Sequence, residues 1–521
     1  MKYFVPAWYD NEKWWHQLPQ PFYMKNRKMQ FDDAISLMSM HVQNESAFKL
    51  LNLSYQPHLR LFLHKYDLYE VATWSLFDEI QGFKAMPSRS FQFEDLEWPD
   101  DATFIFSPYM IQVIANHITS KVYFSQEGYL IWLDDFEDDQ HKRRYIFDER
   151  GYLSAIRYYT KGVAQIQDYL TVNGEVILRE NLLTDQVEVM APFEAVFEAE
   201  VYHSMTELIK ERFDRFCVRH MTNEDHLIVS AHIQHNMLFQ NMRVGTLVSY
   251  SIFSKRNVML DDMLIHSMSN GSKWLVDTME NETQLKILSA HSSHPLEILR
   301  MTPFDTQQLN NLSSQLNETY IGVWIDGMSH TDLQSVLYQL TDYIQNHPSY
   351  RLVLLTQQDV GNVADWIEQL SYELNERHNE TTVEDAGKEE LIKAKEPTSF
   401  EELIQIRSVP YEEDVLKALT HLRLVIDLSE EPDLYVQIAS ISVRIPQIHM
   451  LQSYYVTHRE NGMIIDNYEQ LHMALDYFLS TLKHWNTAYT FNTNLIETLS
   501  SHHIIQQLDQ FLEGDSDGTT V

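Results

Sequence analysis

Short apolar runs separated by helix-length amphipathic stretches open the chain. Tyr3–Pro6 and Leu50–Ser54 read as strands, Phe31–Gln43 as the helix between them, and Thr103–Ser107 as a third strand stopped by Pro108. Buried strands alternating with helices predict a parallel α/β sheet. From about Lys121 the rhythm changes. Val122–Phe124, Tyr129–Leu133, Arg144–Phe147, Tyr152–Tyr159, Ala164–Leu170 and Val176–Glu180 are strand-like, and Gly128, Gly151 and Asn173-Gly174 punctuate them as turns. No helix fits between them, so the stretch predicts an antiparallel meander that runs on toward Val201.

After a helix over Thr206–His220 the α/β rhythm returns. His226–Ser230, Thr246–Phe253, Trp274–Asp277 and Glu297–Met301 read as strands. A second α/β unit begins near Asn317. Tyr320–Ile325 is its first strand, and Thr331–Gln345 is a helix with Leu333, Val336, Leu337, Leu340, Tyr343 and Ile344 at helical spacing. Arg351–Leu355, Leu403–Val409 and Leu424–Leu428 are further strands, Tyr411–Leu422 is a helix, and Tyr468–Leu512 is helical. The expected division is a discontinuous N-terminal Rossmann-like domain (1–120 and 221–315) and an inserted β-meander (121–220). A C-terminal Rossmann-like domain with terminal helices follows (316–512). Residues 375–397 read as a mobile acidic loop and 513–521 as a flexible tail. The fold class is α/β, with two doubly wound domains facing a cleft and an inserted antiparallel meander. That is the layout of GT-B glycosyltransferases, and a layout alone says nothing of activity.

Composition narrows the partners. The net charge is −36 at pH 7, with 75 acidic against 39 basic residues. Phosphate neutralisation needs clustered cations, so nucleic acid is excluded as a partner, and an anionic membrane is reached only indirectly, through other proteins. A basic protein or a neutral glycan or Ser-rich polymer fits better. Cys217 is the single cysteine, which rules out an intrachain disulfide and a Cys-based zinc site and points to a reducing compartment. The N-terminus has no long apolar run of the secretory type, and no stretch approaches the roughly 20 apolar residues that span a bilayer, so the expected location is the cytoplasm.

The segment with the clearest chemistry is Glu430–Ile448. It resembles the donor-binding turn of retaining GT-B enzymes, in which a Glu-x7-Glu pair precedes Gly-Ile-Pro. Aligned on Ile445-Pro446, Glu431 falls at the first acidic position, but the ribose-holding second position is Ala439 and the Gly is Arg444. Those enzymes also place an Arg and a Lys after the first strand of the second half. Here Ile-Gly-Val-Trp-Ile-Asp-Gly-Met-Ser-His follows Tyr320, and no cation appears before Arg351. A diphosphate without cations or metal loses hydration that nothing offsets. The Gly-rich loop after the first N-terminal strand is replaced by Pro6-Ala7-Trp8-Tyr9-Asp10-Asn11, and no glycine at all precedes Gly82.

Three further strings carry a closer resemblance: Phe4-Val5-Pro6-Ala7-Trp8-Tyr9, Tyr55-Gln56-Pro57-His58-Leu59-Arg60-Leu61-Phe62-Leu63-His64 and Phe77-Asp78-Glu79-Ile80-Gln81. In that order, over nearly the whole chain, the sequence resembles the first accessory secretory proteins of the accessory Sec system of Gram-positive bacteria. The resemblance implies a non-catalytic, GT-B-like protein without a cofactor. It implies partnership with the second and third accessory secretory proteins, binding of a glycosylated serine-rich-repeat adhesin, and delivery to the accessory SecA motor and its channel, with recruitment to the membrane through that machinery. It also makes the meander similar to the acceptor-binding extension of the glycosyltransferases that modify those adhesins.

Trp8, Tyr9, Trp14 and Trp15 follow the first strand, where a doubly wound fold binds ligands, and aromatic faces stack on sugars; core packing is the alternative use of the same rings. With Glu431 they are the candidate ligand-binding residues; no catalytic residue is assigned. His226, His232 and His235, and the pair His291 and His294, have metal-like spacing, which 24 histidines also produce by chance, and no metal site is assigned. The acidic runs Glu94–Asp101 and Asp134–Asp139 read as solvated faces or as a surface for a basic partner. Two other functions stay open at this level: an active retaining GT-B glycosyltransferase using a UDP-sugar on a Ser/Thr-rich protein, and a scaffold touching only protein partners.

Overall fold

The computed structural model describes residues 1–9, 13–24, 30–242, 245–289, 296–385 and 402–514. Contacts divide the chain into two units. The first comprises Met1–Met29, Leu37–Met301 and Phe511–Val521, and the second Gln30–Ser36 and Thr302–Gln510.

The first unit begins with Lys2–Val5 (β1), Phe48–Asn52 (β2) and Thr73–Ser75 (β3). The third parallel strand is thus the short Thr-Trp-Ser segment, not the predicted Thr103–Ser107. Trp74 and Ser75 in β3 are buried, whereas all four residues of Thr103–Phe106 (β4) are exposed. An apolar tetrapeptide looks the same on paper whether it is central or at an edge. Ten antiparallel strands follow in strict chain order: β4, Ile111–Ala115 (β5), Ile118–Phe124 (β6), Leu130–Glu137 (β7), Gln140–Phe147 (β8), Leu153–Thr160 (β9), Val163–Leu170 (β10), Val176–Asn181 (β11), Val187–Val189 (β12) and Val201–Tyr202 (β13). The meander therefore starts earlier than about Lys121, where its first expected strand lay.

Its turns explain its register. Gly128, Gly151 and Gly174 all sit at φ above +80°, as the sequence suggested. Three more hairpins turn on pairs in which both residues have positive φ, Asn116-His117, Asp138-Asp139 and Lys161-Gly162. That backbone matches the right-handed twist of the flanking strands, and Asn and Asp tolerate it.

The chain then returns through helix Met205–His220 to His226–Ser230 (β14), Leu247–Ile252 (β15), Lys273–Val276 (β16) and Glu297–Arg300 (β17). These complete a seven-stranded parallel sheet of order β17-β16-β15-β14-β1-β2-β3. Strand order reverses between β1 and β14, so this is its switch point.

The second unit carries Thr319–Trp324 (β18), Tyr350–Thr356 (β19), Ile404–Ser408 (β20), Leu422–Ile426 (β21), Gln447–His449 (β22) and Gly462–Ile464 (β23) in a parallel sheet of order β20-β19-β18-β21-β22-β23. The helix between β18 and β19, His330–Gln345, starts where Ser329 accepts from the Asp332 amide at 3.2 Å. It buries the predicted stripe of Leu333, Val336, Leu337, Leu340, Tyr343 and Ile344. The helix Asp365–Asp385 runs into the stretch read as a mobile loop, which is corrected to that point; residues 386–397 of the predicted loop lie outside the described residues. The helical tail is three helices, Leu471–Leu479, Leu482–Thr498 and Ser501–Glu513. Of the predicted flexible tail, residues 515–521 lie outside the described residues.

Candidate functional site

Ligands of doubly wound sheets sit beyond the carboxyl ends of the strands at the switch point. In the first unit that place is filled with rings. Trp8 and Trp14 are buried, Trp8 against Phe62 at 4.7 Å and Trp14 against Tyr9 at 5.2 Å. The Tyr9 hydroxyl donates to His235 Nδ1 at 2.6 Å, and His235 Nε2 donates to the Ser230 carbonyl at 2.7 Å. Both ring nitrogens are thereby engaged. Burial, with help from His232, pushes the His235 pKa down to about 3, so the ring is neutral. His226 stands at the opposite end of β14 from His232 and His235. Among the described residues no group of three His, Cys, Asp or Glu side chains is placed to hold a metal ion. His291 and His294 lie outside the described residues.

Trp15 serves the junction between the parallel sheet and the meander. Its Nε1 donates to Glu180 on β11 at 2.9 Å. The same carboxylate takes the Tyr169 hydroxyl at 2.6 Å and His16 Nε2 at 3.0 Å. Burial alone would raise the Glu180 pKa; these donors outweigh it and hold it at about 2. Burial keeps His16 below its usual value, against the opposing pull of Glu180. Around this centre Tyr55 donates to Ser154 at 2.9 Å, and Gln81 bridges the carbonyls of Ser154 and Leu170 at 2.7 Å each. Sequence reasoning missed Tyr169 and Glu180, and weighed His235 only for metal spacing, not as the partner of Tyr9. Trp15 and Glu180 are 165 positions apart, and no local pattern marks such a pair.

The second unit's switch point lies between β18 and β21, and carboxylates line it. Asp326 after β18 accepts from the Thr356 hydroxyl at 2.6 Å and the Gln357 amide at 2.7 Å. Asp427 after β21 accepts from the Ser429 hydroxyl at 2.6 Å and the Asp433 amide at 2.7 Å, and burial pushes its pKa up to about 7. Gly327, at φ +81°, brings its turn within 3.4 Å of Ser429 when a Cβ is placed on it. Glu431 is exposed in the following loop, and Asp433 caps the helix Leu434–Ser442 through the Val436 amide at 3.0 Å. Ala439 is buried within that helix.

Arg444 ends the helix in the left-handed region, at φ +60°, where a glycine is favoured. A side chain there costs about 1–2 kcal/mol. Two hydrogen bonds oppose the cost, from Nη1 to the Leu309 carbonyl at 2.7 Å and from Nε to the Thr493 hydroxyl at 3.2 Å. The backbone bend survives with an arginine pinned away as its occupant.

Cations are scarce at this end of the sheet. None of the segments 325–330, 357–362, 409–412, 427–433, 450–454 and 465–469 directly following the six strands contains Lys or Arg; the β22–β23 connection carries Arg459, three residues before β23. Of the strand arginines, Arg351 and Arg423 are the second residues of β19 and β21, at the opposite end. Arg407 approaches the carboxyl end only on the edge strand β20.

Comparison with known proteins agrees with the architecture. The model of the family of accessory secretory protein 1 of the accessory Sec system matches residues 1–515. The Staphylococcus aureus member of that family is 42% identical over 521 residues, covering 100% of both chains. The crystal structure of accessory secretory proteins 1, 2 and 3 of Streptococcus pneumoniae contains a chain with a TM-score of 0.79 and 28% identity, covering 98% of this chain and 99% of that one. The pneumococcal O-GlcNAc transferase GtfA, solved with UDP and GlcNAc, superposes with a TM-score of 0.66 at 11% identity over 98% of each chain, a likeness of fold alone. The fold is thus GT-B-like, with an antiparallel ten-stranded sheet inserted. No helix among the described residues is long and apolar enough to cross a membrane.

Proposed function

The chain belongs to the family of accessory secretory protein 1 of the accessory Sec system, and from that premise we propose that it works without catalysis, as a binding component of protein export. It binds the glycosylated serine-rich-repeat adhesin in the cytoplasm. It assembles with the second and third accessory secretory proteins and passes the adhesin to the accessory SecA motor, meeting the membrane only through that machinery. A solved relative is a complex of accessory secretory proteins 1, 2 and 3, which supports the assembly. The meander is proposed as the surface for the adhesin, and the aromatic residues Trp8, Tyr9, Trp14 and Trp15 as the packing that shapes the neighbouring sheet end.

One observation carries the non-catalytic reading. The crevice where a sugar nucleotide would sit is edged by Asp326 and Asp427, and none of the segments directly following the six strands carries Lys or Arg. A diphosphate placed beside carboxylates is repelled and loses its hydration without return.

The test pairs two titrations of the purified chain. With its two accessory partners present, it binds a glycosylated serine-rich-repeat peptide, and Glu431→Ala leaves that binding unchanged. Alone, it gives no calorimetric signal with UDP or UDP-N-acetylglucosamine. Micromolar UDP-sugar binding that disappears in Glu431→Ala would instead establish the active-transferase reading. Binding of the partners without the adhesin peptide would reduce the role to a scaffold.

A further inference from the structure

The far end of the meander, β4 to β7, has its own small core. The segment Phe91–Ala102 lies over one face of the sheet as a strap. Phe91, Phe93, Leu96 and Trp98 from the strap pack against Ile111, Val113, Val122, Leu130, Leu133 and Phe147. The packing is incomplete. A cavity of about 460 Å³ remains between strap and sheet, walled by Trp98, Val113, Leu133 and Phe147 among others. That volume lies in the range of clefts that accept a ligand group.

Cross-strand register shows what faces it. Val113, Ser120 and Asp135 stand opposite one another on β5, β6 and β7 and so share the sheet face. Asp135 takes the Ser120 hydroxyl at 2.6 Å, and Glu97 stands on the strap side. The lining arginine, Arg89, is tied to the Gly151 carbonyl at 2.8 Å and lies over the Tyr152 ring at 4.2 Å.

The cavity adjoins an open sheet edge. Among the described residues nothing pairs with β4 on its outer side, since it ends the ten-stranded order. Phe106 is 69% exposed and Ile105 47%. Trp98 touches Phe104 and Phe93 touches Phe106, with ring centroids 5.8 and 6.3 Å apart, so the apolar surface is continuous from cavity to edge. The bond from the Ser107 amide to the Met110 carbonyl closes the β4–β5 hairpin and sets the alternation. The amides of Ile105 and Thr103 therefore face β5, and those of Phe104 and Phe106 face outward. Natural edges are blunted by shortness, by charged side chains, by Pro, by bulges or by a covering segment; β4 is short, at four residues, but has no Lys or Pro within it.

Charge selects the occupant. Between Arg89 and Lys121 the sequence has no Lys or Arg, while the strap carries Glu94, Asp95, Glu97, Asp100 and Asp101. A second copy of this acidic chain would bring the same carboxylates to the contact and be repelled. We propose that the strap cavity and the β4 edge form a docking site for an extended segment of another protein, one that adds a strand to β4, inserts an apolar side chain under Trp98 and flanks it with Lys or Arg. Main-chain bonds to the Phe104 and Phe106 amides supply the strand pairing, the cavity supplies the side-chain choice, and the strap carboxylates meet the cations. This partner is additional to the glycosylated adhesin of the proposed function.

The full-length chain tests this with a fluorescein-labelled peptide, Gly-Lys-Val-Lys-Phe-Lys-Val-Lys-Gly. Two controls accompany it: one with Glu for every Lys, and one keeping the Lys but with Gly for Val and Phe. The basic apolar peptide binds saturably, by fluorescence anisotropy. Ala115→Trp, which fills the cavity from its partly exposed rim, and Phe106→Pro, which removes an outward amide, each weaken it about tenfold or more, with the thermal transition retained. Equal binding of the Lys/Gly control would mean a general attraction to an acidic protein and overturn the site. So would parental affinity in both variants, or no preference for the basic peptide over the acidic one. Association of the chain with itself through this edge, seen by sedimentation and lost in Phe106→Pro, would overturn the choice of occupant.

Discussion

The two ends of the meander are built on opposite rules. At its root, β9 to β11 meet the parallel sheet through buried polar groups that are largely matched: Trp15, His16 and Tyr169 on Glu180, Tyr55 and Gln81 on Ser154. At its tip, β4 to β7 meet the strap, over a cavity of about 460 Å³ and beside four exposed edge residues, with the Phe22 amide on the Phe124 carbonyl at 2.9 Å and the Tyr23 ring on Tyr109 as further contacts. A buried charge with several donors fixes one geometry, because each partner left unmet costs about 1–3 kcal/mol. An incompletely filled apolar pocket imposes no such condition. The difference teaches where this fold spends its specificity: the root orients the sheet, and the tip is left able to accept something.

The comparison is most severely tested at the root. Glu180→Ala leaves three buried donors without their acceptor and should lower stability by about 3–5 kcal/mol, read by denaturant unfolding. A loss below about 1 kcal/mol would show that the root network is replaceable and would erase the contrast.

Next comes pH, where two buried carboxylates of the first unit pull in opposite directions. Glu180 is held at about 2 when folded, below its ordinary value of about 4.3, so its stabilisation is present above pH 4.3 and is lost as pH falls toward 2. Glu149 accepts the Arg60 and Leu61 amides at 3.1 and 2.9 Å, and burial, reinforced by Asp148, raises it to about 8. Its contribution is present below pH 4.3 and is lost as pH rises through about 8. Urea unfolding as a function of pH should therefore show a rise in stability between about pH 2 and 4.3 that Glu180→Gln flattens and a fall between about pH 4.3 and 8 that Glu149→Gln flattens.

At the tip the expected changes are small. Ala115→Trp enters existing space and should alter stability by less than about 1.5 kcal/mol, in contrast to an enlarged side chain in a filled core. Phe106→Asp should change it by less than about 0.5 kcal/mol, since the ring is 69% exposed. Thermal melts of both variants beside Glu180→Ala give the ranking directly, and a tip variant as damaging as the root variant would reverse it.

Local patterns reported much of the architecture. The Ser329-capped helix His330–Gln345 appears within one residue of its expected start because its apolar stripe and cap are both local. The glycine turns at 128, 151 and 174 were readable for the same reason. The Asn116-His117 and Asp138-Asp139 turns were not, because those residues serve equally well in other loops. Thr103–Phe106 was misplaced because hydrophobicity reports a preference for burial, not whether a neighbour arrives to provide it. In the second unit, the departures at Ala439 and Arg444 and the absence of Lys and Arg from the segments directly following the strands stand in the sequence itself; the pinning of Arg444 to Leu309 and Thr493 does not.

The sequence by itself therefore determined the alternation of α/β and meander, the acidic balance and the poverty of positive charge around the second sheet, since each is a sum over residues near one another in the chain. Only the tertiary structure decided that Trp14 and Trp15 are packed instead of displayed, that one carboxylate gathers Trp15, His16 and Tyr169, and that a cavity opens beneath Trp98. Those outcomes depend on which surfaces meet across more than a hundred residues of chain, and no local preference encodes a partner at that distance.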